Sequence, residues 1–347
     1  MSNKAGLYIH IPFCFSKCPY CDFYSGKYCE KDAVQYTEKV ISQMGEFENT
    51  EFDTVYFGGG TPSVIPYTLI EKILNNAKKH FKIDKDSEIT IECNPGNDIN
   101  FLADKYAEMG INRVSLGLQS ANDTERRLLG RRAGANEIKK AVLALQNAGI
   151  SNISVDLMLG IPEQTTESLK YSIDFISSLN IKHISAYMLK VEDGTKFFEM
   201  QKKGKLVLPS EDETCDFYLK TVEMLENNGF YQYEISNFSK PNFESRHNLK
   251  YWQLDNYLGL GATAHSFFNN ERFFFNENSE KIFEGYGGDE EEKIMLGLRL
   301  KKGINKKLLK KDFQKFVDLG YIKENGENIF LTPKGMLISN YIISELI

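Results

Sequence analysis

The sequence predicts an α/β fold in which a parallel β-sheet, covered by helices, curls into a full or partial barrel. Two observations support this prediction. Over roughly the first two-thirds of the chain, six short apolar runs alternate with helical patterns, and the runs are apolar at successive positions, as in strands buried on both faces. Right-handed crossovers between such strands wind the sheet in one direction. An open, doubly wound sheet is the alternative that this pattern leaves open.

The six strand-then-helix units follow one another along the chain. Strands are predicted at about residues 7–11, 54–57, 88–92, 113–118, 153–159 and 183–189. Amphipathic helices are predicted at about residues 32–44, 69–77, 138–145, 169–176 and 212–227. In the second helix, for example, Ile70, Ile73 and Leu74 fall on one face at the 3.6-residue period.

The last third of the chain has a different pattern. From about Phe230 the sequence predicts aromatic-rich loops. The tail then predicts helices at residues 293–300 and 305–319, a hairpin turning at Asn325-Gly326, and a final helix capped by Thr332-Pro333. Helix, helix, hairpin and helix outline a small winged-helix-like module. We therefore divide the chain into a barrel at 1–229, a connecting region at 230–284 and the module at 285–347.

The composition is that of an ordinary globular protein. Of 347 residues, 41% are apolar and 26% are charged, which excludes a disordered chain. No apolar run approaches the ~18 residues of a transmembrane helix, and no signal sequence is recognisable, so we expect a cytoplasmic protein. The net charge of 42 − 48 = −6 gives no general attraction for nucleic acid. The lysines at 301–311 are interpreted as a solvated face.

Three of the six cysteines, Cys14, Cys18 and Cys21, lie close together in a loop after the first predicted strand. In a cytoplasmic protein such a group is more often a metal site than a disulfide framework. A closed zinc site needs four ligands, and no histidine lies at zinc-finger spacing. Three thiolates on a four-iron cube would leave one iron free for an exogenous ligand. An open iron–sulfur cluster is therefore favoured, with zinc as the alternative.

This cysteine spacing, with Tyr20 before the last cysteine, resembles the signature of radical S-adenosylmethionine (SAM) proteins. In that superfamily the free iron of a [4Fe–4S] cluster binds the amino and carboxylate groups of SAM. An electron from the reduced cluster then cleaves SAM to a 5′-deoxyadenosyl radical. The resemblance implies both cofactors here, and it implies a partial (β/α)6 barrel, in agreement with the six units.

Other residues suit a cofactor at the carboxyl ends of the strands, where barrel enzymes place their chemistry. The run GGGTP at 58–62 follows the second strand, and its glycines would bring backbone amides close to a ligand carboxylate; a tight turn is the simpler interpretation. Glu92 and Asp156 are suited to accept hydrogen bonds from an amino group and ribose hydroxyls. Arg131 is suited to bind a carboxylate.

The resemblance narrows to the coproporphyrinogen dehydrogenase/HemW group and extends over nearly the whole chain. It is carried by residues 8–14 (YIHIPFC), 18–23 (CPYCDF), 58–63 (GGGTPS), 92–95 (ECNP), 115–120 (SLGLQS) and 156–162 (DLMLGIP). It implies SAM contacts at Tyr8, Tyr20, Gly59, Gly60, Thr61, Glu92, Gln119, Arg131 and Asp156. A further contact is implied near Leu189-Lys190.

Two features separate HemW proteins from the dehydrogenases within this group. The dehydrogenases carry another cysteine two residues after the last cluster ligand, where this chain has Phe23. HemW proteins carry a His-Asn-x-x-Tyr-Trp motif, linked in that family to haem binding, and residues 247–252 match it. The resemblance thus implies haem-binding residues His247, Tyr251 and Trp252. Imidazole is a standard axial ligand of haem iron, and His10 and His265 are competing candidates.

The resemblance implies a haem chaperone that binds haem, passes it to an acceptor haem protein and carries a [4Fe–4S] cluster with exchangeable SAM. The alternative is an oxygen-independent coproporphyrinogen III dehydrogenase, so enzymatic activity stays open and no catalytic residue is assigned. An acceptor in the respiratory chain, transient contact with a membrane-bound acceptor and a homodimer are also left open. Nucleic acid is not an expected partner.

Overall fold

The structure is a computed structural model that describes residues 4–347. It contains six parallel strands, each followed by one or two helices, as the sequence predicts. The strands are β1 (Ala5–Ile11), β2 (Glu51–Gly59), β3 (Lys82–Cys93), β4 (Arg113–Gln119), β5 (Asn152–Leu159) and β6 (His183–Met188). The helices are α1 (Glu30–Met44), α2 (Tyr67–His80), α3 (Ile99–Met109), α4 (Asp123–Leu128), α5 (Ala135–Asn147), α6 (Thr166–Ser177), α7 (Lys196–Lys202) and α8 (Glu211–Asn227).

The six strands form a partial (β/α)6 barrel. They lie side by side in sequence order, all parallel, without the reversal of strand order that defines a doubly wound sheet. The outer strands β1 and β6 pair with later strands rather than with each other. The predicted partial barrel is therefore confirmed, and the doubly wound alternative is wrong.

Both faces of the barrel strands are buried, but only one face is apolar. One register row runs through Ile9, Phe57, Ile91, Val114 and Ile153, all inaccessible to solvent. On the opposite face, successive rows are formed by polar residues: Tyr8, Tyr56, Thr90 and Arg113, then Glu92, Ser115, Ser154 and His183. The expectation of strands apolar on both faces is therefore wrong, since the inward face carries polar side chains, some of them hydrogen-bonded to one another, as Tyr56 is to Glu92 and Ser154 to His183.

The helices cover the apolar face as the periodicity predicts. Ile70, Ile73 and Leu74 of α2 are buried together. Helix α3 is not predicted from the sequence, although it has ordinary signals: the Asp98 side chain accepts a hydrogen bond from Phe101 N–H, and Gly110 ends the helix at φ +88°.

The connecting region continues the main sheet. Its elements are β7 (Tyr231–Gln232), β8 (Asn237–Ser239), α9 (Arg246–Gln253), β9 (Tyr257–Leu260), β10 (His265–Phe268), β11 (Glu271–Phe275) and β12 (Lys281–Tyr286). Strand β8 pairs with β6, and β9 pairs in parallel with β1, followed outward by β10, β11 and β12. The predicted aromatic-rich loops are therefore wrong: Phe273 and Phe275 point into the core from β11 and pack against Phe47.

The C-terminal module contains α10 (Glu290–Gly297), β13 (Ile304–Asn305), α11 (Gln314–Asp318), β14 (Ile322–Asn325), β15 (Asn328–Leu331), α12 (Pro333–Leu337) and α13 (Ser339–Leu346). The hairpin and the Thr332 cap are as predicted. The single helix predicted at 305–319 is wrong, because only residues 306–308 and α11 are helical. Lys306, Lys307 and Lys310 form exposed ion pairs with glutamates. No helix within residues 4–347 combines the length and apolarity needed to cross a bilayer.

Replacing Phe273 by alanine tests whether the connecting region is part of the barrel core. Phe273 is 1% exposed and stacks on Phe47 at 5.9 Å between ring centroids. Phe273→Ala is expected to lower the free energy of unfolding by about 3–5 kcal/mol, measured by urea denaturation. The control is its cross-strand partner Phe283, 53% exposed, whose replacement by alanine should cost less than about 0.5 kcal/mol. Equal effects would show that β11 is not core.

Candidate functional site

The cysteine loop joins β1 to α1 and is fixed at both ends. Residues Phe13–Cys14 pair in parallel with Gly26–Lys27. Beside them, the Thr61 N–H donates to the Phe13 carbonyl at 2.8 Å, and the Gly60 N–H donates to the Ile11 carbonyl at 2.9 Å. These contacts hold the loop against the carboxyl end of β2.

The three clustered cysteines line one cavity of about 520 Å³, here called the cysteine cavity. All three are free thiols. Burial raises the pKa of Cys21, and negative charge on Cys18 and Cys14 raises it further, because the three thiols lie within reach of one another's charge.

The arrangement of these thiols fits a cluster better than zinc. Within residues 4–347, no group of three or more His, Cys, Asp or Glu side chains is arranged to hold a single metal ion. Closed zinc sites gather four donors around one ion, whereas the thiolates of a [4Fe–4S] cluster bind different irons and stand further apart. The three thiols line one cavity without forming a single-ion site, as the ligands of a cluster would.

The glycine run allows the close approach of β2 to the cysteine loop. A Cβ on Gly59, whose φ is +109°, would lie 2.4 Å from the His10 ring, and one on Gly60 would lie 2.7 Å from the Phe13 carbonyl oxygen. The amides are already used: besides the two bonds to the loop, the Gly59 N–H donates to Glu92 Oε2 at 3.3 Å. The expected donation of these amides to a ligand carboxylate therefore has no support in the structure.

Two half-buried carboxylates, on β3 and β5, face the cysteine cavity. Glu92 accepts a hydrogen bond from the Tyr56 hydroxyl at 2.7 Å, and Asp156 accepts one from Ser115 Oγ at 3.1 Å. Burial raises the pKa of Glu92 to about 7, with the negative charge of Asp156 adding to the effect. Burial also raises the pKa of Asp156. Both groups are thus suited to accept hydrogen bonds from a cationic or hydroxylated ligand.

The cysteine cavity is also lined by the cationic side chain of Arg131 and by Gln119, whose backbone conformation is unusual. Arg131 Nη2 donates to the Tyr20 hydroxyl at 3.1 Å, so the aromatic residue of the cysteine motif positions the guanidinium. Gln119, at the end of β4, has φ +72°, which is costly for a residue other than glycine and is common at functional sites. Gly117 leaves room for Arg131, whose Nη2 would lie 3.3 Å from a Cβ there.

The structure brings together most of the residues expected to bind SAM. With the three cysteines, the lining of the cysteine cavity includes Tyr20, Gly59, Gly60, Thr61, Glu92, Gln119, Arg131, Asp156, Leu189 and Lys190. Tyr8 does not line it. Ser115, Met158 and Tyr187 also line the cavity but were missed; their position on the inward face of a strand is the signal that could have found them.

Tyr8 instead lines a second cavity of about 370 Å³, here called the aromatic cavity. Its walls include Phe23, Tyr24, Tyr251, Tyr257 and His265. The two cavities are neighbours, since Phe23, Gly59 and Glu92 line both.

The motif residues on α9 are placed differently from what we expected. His247 is 1% exposed, and both ring nitrogens are engaged: Nδ1 with Thr54 Oγ1 and Nε2 with the Tyr251 hydroxyl, each at 2.8 Å. Burial lowers the pKa of His247 to about 3, so the ring is neutral. With no free nitrogen, His247 is not arranged as an axial ligand, contrary to expectation.

The two aromatic residues of the motif, Tyr251 and Trp252, lie in different environments. Tyr251 lines the aromatic cavity, as a haem-contacting residue would. Trp252 lines neither cavity, and the Arg299 guanidinium lies 5.7 Å from its ring centroid. The expected packing of Trp252 against haem therefore has no support here.

Comparison with known proteins agrees with this geometry. The family model of the Radical SAM superfamily matches residues 8–176, and that of the HemN C-terminal domain matches residues 290–338. A heme chaperone HemW of Lactococcus lactis subsp. lactis is 31% identical over 98% of this chain and 96% of its own length. The chain belongs to the HemW family of radical SAM proteins. A HemW protein of Bacillus subtilis is also 31% identical, over 98% of both chains.

A solved structure has the same fold. Coproporphyrinogen III oxidase (HemN) from Escherichia coli, a radical SAM enzyme, superposes with a TM-score of 0.80 at 20% identity, over 98% of this chain and 89% of its own. Membership of the radical SAM superfamily implies a [4Fe–4S] cluster and SAM. The residues of this HemW-family chain fit both.

Replacing Glu92 by glutamine tests its role as an acceptor in the cysteine cavity. Loss of a hydrogen bond to a charged group costs about 1.5–3 kcal/mol, so SAM should bind roughly 10–100-fold more weakly to Glu92→Gln, measured by anaerobic calorimetry on the cluster-loaded protein. Glu88→Gln is the matched control: Glu88 is buried on the same strand but accepts from the His247 N–H, away from the cavity. Equal losses in both variants would contradict the assignment.

The raised pKa of Glu92 also predicts a pH dependence of stability. The half-buried Glu92 carboxyl, with a pKa of about 7, holds its proton more tightly than it does in the unfolded chain, where its pKa has the ordinary value of 4.5. The free energy of unfolding should therefore fall as the pH rises from about 5 to 8, by up to about 3 kcal/mol. Subtracting the same titration of Glu92→Gln isolates this contribution. A difference that stays flat or rises with pH would show that Glu92 is ionised when buried.

Proposed function

We propose that this protein is a haem chaperone that binds haem and delivers it to an acceptor haem protein. The relatives that match it over almost their whole length are named heme chaperones. The observation that carries the proposal is the aromatic cavity, which receives Tyr251 from the motif and shares a wall with the cysteine cavity.

In this proposal the cysteine cavity holds a [4Fe–4S] cluster and SAM. Cys14, Cys18 and Cys21 would ligate three irons, and the bound pair would supply one-electron chemistry. Glu92 and Asp156 accept hydrogen bonds from the ligand, while Arg131, held by Tyr20, neutralises a carboxylate. Met158 and Leu189 would cover part of the bound ligand with apolar side chains.

The aromatic cavity would hold the haem. Tyr251 and Tyr257 pack edge to face at 4.6 Å between centroids, so the two rings hold each other in place and offer aromatic surface for contact with a porphyrin. Phe23, 62% exposed, and Tyr24, 38% exposed, stand at its mouth. A site walled by a fixed aromatic pair and open to solvent is suited to a cargo that must leave again. We extend the proposal to a cytoplasmic chaperone whose acceptor belongs to the respiratory chain.

Because the fold is shared with HemN, we considered one alternative function, that of a coproporphyrinogen III dehydrogenase. The likeness at 20% identity concerns the fold alone. Position 23, where the dehydrogenases carry a further cysteine, is a phenylalanine whose side chain stands between the two cavities. The chaperone is therefore the better-supported function.

Parallel anaerobic assays separate the two functions. The cluster-loaded protein is expected to take up ferric haem and pass it to a haem-free acceptor, without converting coproporphyrinogen III to protoporphyrinogen IX. Tyr251→Ala should weaken haem binding roughly tenfold, because a packed ring contributes about 1 kcal/mol beyond its buried area. Trp252→Ala, its neighbour outside the cavity, should bind as wild type does. Turnover of coproporphyrinogen III would overturn the proposal.

A further inference from the structure

Two imidazoles line the aromatic cavity, those of His10 and His265. A haem iron needs only one nitrogen from the protein, because the porphyrin supplies four. The absence of any three-donor metal site within residues 4–347 is therefore no obstacle. Which side chain binds the iron depends on which ring nitrogen is free.

His10 has no free nitrogen. Its Nε2 lies 2.9 Å from the Tyr24 carbonyl oxygen, and its Nδ1 lies 3.2 Å from the Tyr8 hydroxyl. A carbonyl only accepts, so Nε2 carries the proton and Nδ1 accepts from Tyr8. Burial lowers the pKa of His10, which keeps the ring neutral in this arrangement. His10, like His247, serves the packing of the tyrosines around it.

His265 is placed as a ligand would be. It opens β10 after a turn in which Thr263, a β-branched residue, has φ +61°, and its side chain is 59% exposed. Its Nδ1 lies 2.8 Å from Oε2 of Glu284 on β12. A carboxylate only accepts, so Nδ1 carries the proton and the lone pair is on Nε2. Within residues 4–347 that nitrogen has no hydrogen-bond partner.

The pairing of His265 with Glu284 is the usual arrangement behind a metal-binding imidazole. A carboxylate that accepts from one ring nitrogen fixes the tautomer, orients the ring and makes the other nitrogen more basic. Here the carboxylate is supplied by a strand different from that of the histidine, in the same antiparallel ladder.

His247 instead holds the side chain of Tyr251 in place. Its Nε2 holds the Tyr251 hydroxyl at 2.8 Å, and its ring meets the Tyr251 ring edge to face at 5.3 Å. On its other side it stacks on Tyr56 at 5.1 Å. Through these contacts the motif fixes the position of Tyr251, which is the wall of the aromatic cavity.

We propose that His265, oriented by Glu284, is the axial ligand of haem bound in the aromatic cavity, and that His247 is a positioning residue that acts through Tyr251. This inference rests on the proposed haem chaperone function, and it assigns the ligand of that same site.

The test is a titration of the full-length, cluster-loaded protein with ferric protoporphyrin IX, followed by absorption difference spectra and electron paramagnetic resonance. His265→Ala is expected to lose the histidine-ligated spectrum. His265→Gly should recover it when imidazole is added, which a merely structural role would not do. Glu284→Gln should keep the ligation but weaken haem binding by about 10–100-fold.

Two further histidine variants complete the comparison. His80, which pairs with Glu48 at 3.4 Å outside both cavities, gives the matched control, and His80→Ala should behave as wild type. His247→Ala should keep the histidine-ligated spectrum while haem binds more weakly, because Tyr251 loses its support.

The outcomes separate the two proposals. A wild-type protein that takes up no haem would overturn the chaperone function itself. Haem uptake with an unchanged spectrum in His265→Ala would overturn the ligand assignment alone. Loss of the histidine signature in His247→Ala but not in His265→Ala would return the ligand role to the motif histidine.

Discussion

Two backbone hydrogen bonds, from Gly60 to Ile11 and from Thr61 to Phe13, hold the cysteine loop against the end of β2. They form only because the glycines at 59 and 60 leave space where a Cβ would strike the His10 ring or the Phe13 carbonyl. The thiols consequently open into the same cavity as the carboxyl ends of the barrel strands. Without this contact the three cysteines and the other residues of the cysteine cavity would belong to separate surfaces.

The polar inward face of the barrel explains how this cavity keeps its charged groups. Burying a carboxylate is costly unless it is hydrogen-bonded, and here the partner of Asp156 on β5 comes from the neighbouring strand β4, where Ser115 donates to it. Arg113, 1% exposed, adds a compensating positive charge, which lowers the pKa of both Glu92 and Asp156 against the dominant effect of burial. The interior is thus organised for binding, while the opposite face of the same strands carries the apolar core.

The sequence predicted correctly those features that depend on residues close together in the chain. The apolar period of α2 and the order of the six units are read from neighbouring residues, and the cysteine spacing led to the residues that share the cysteine cavity. The connecting region was misread because β9 pairs with β1, some 250 residues earlier, and no local pattern reports such a pairing. The motif at 247–252 names residue types only, because whether a ring nitrogen of His247 is free depends on its contacts with Thr54 and Tyr251.

Glu92 lines both cavities. Its protonation state therefore affects the electrostatic potential in each of them. An occupant of one cavity that favours the ionised carboxylate changes the electrostatic potential met by an occupant of the other. Thermodynamic linkage makes this influence mutual. If the first ligand changes the affinity for the second by some factor, the second changes the affinity for the first by the same factor. If haem and SAM occupy the two cavities as proposed, this shared titrating side chain would couple their binding without any movement of the backbone.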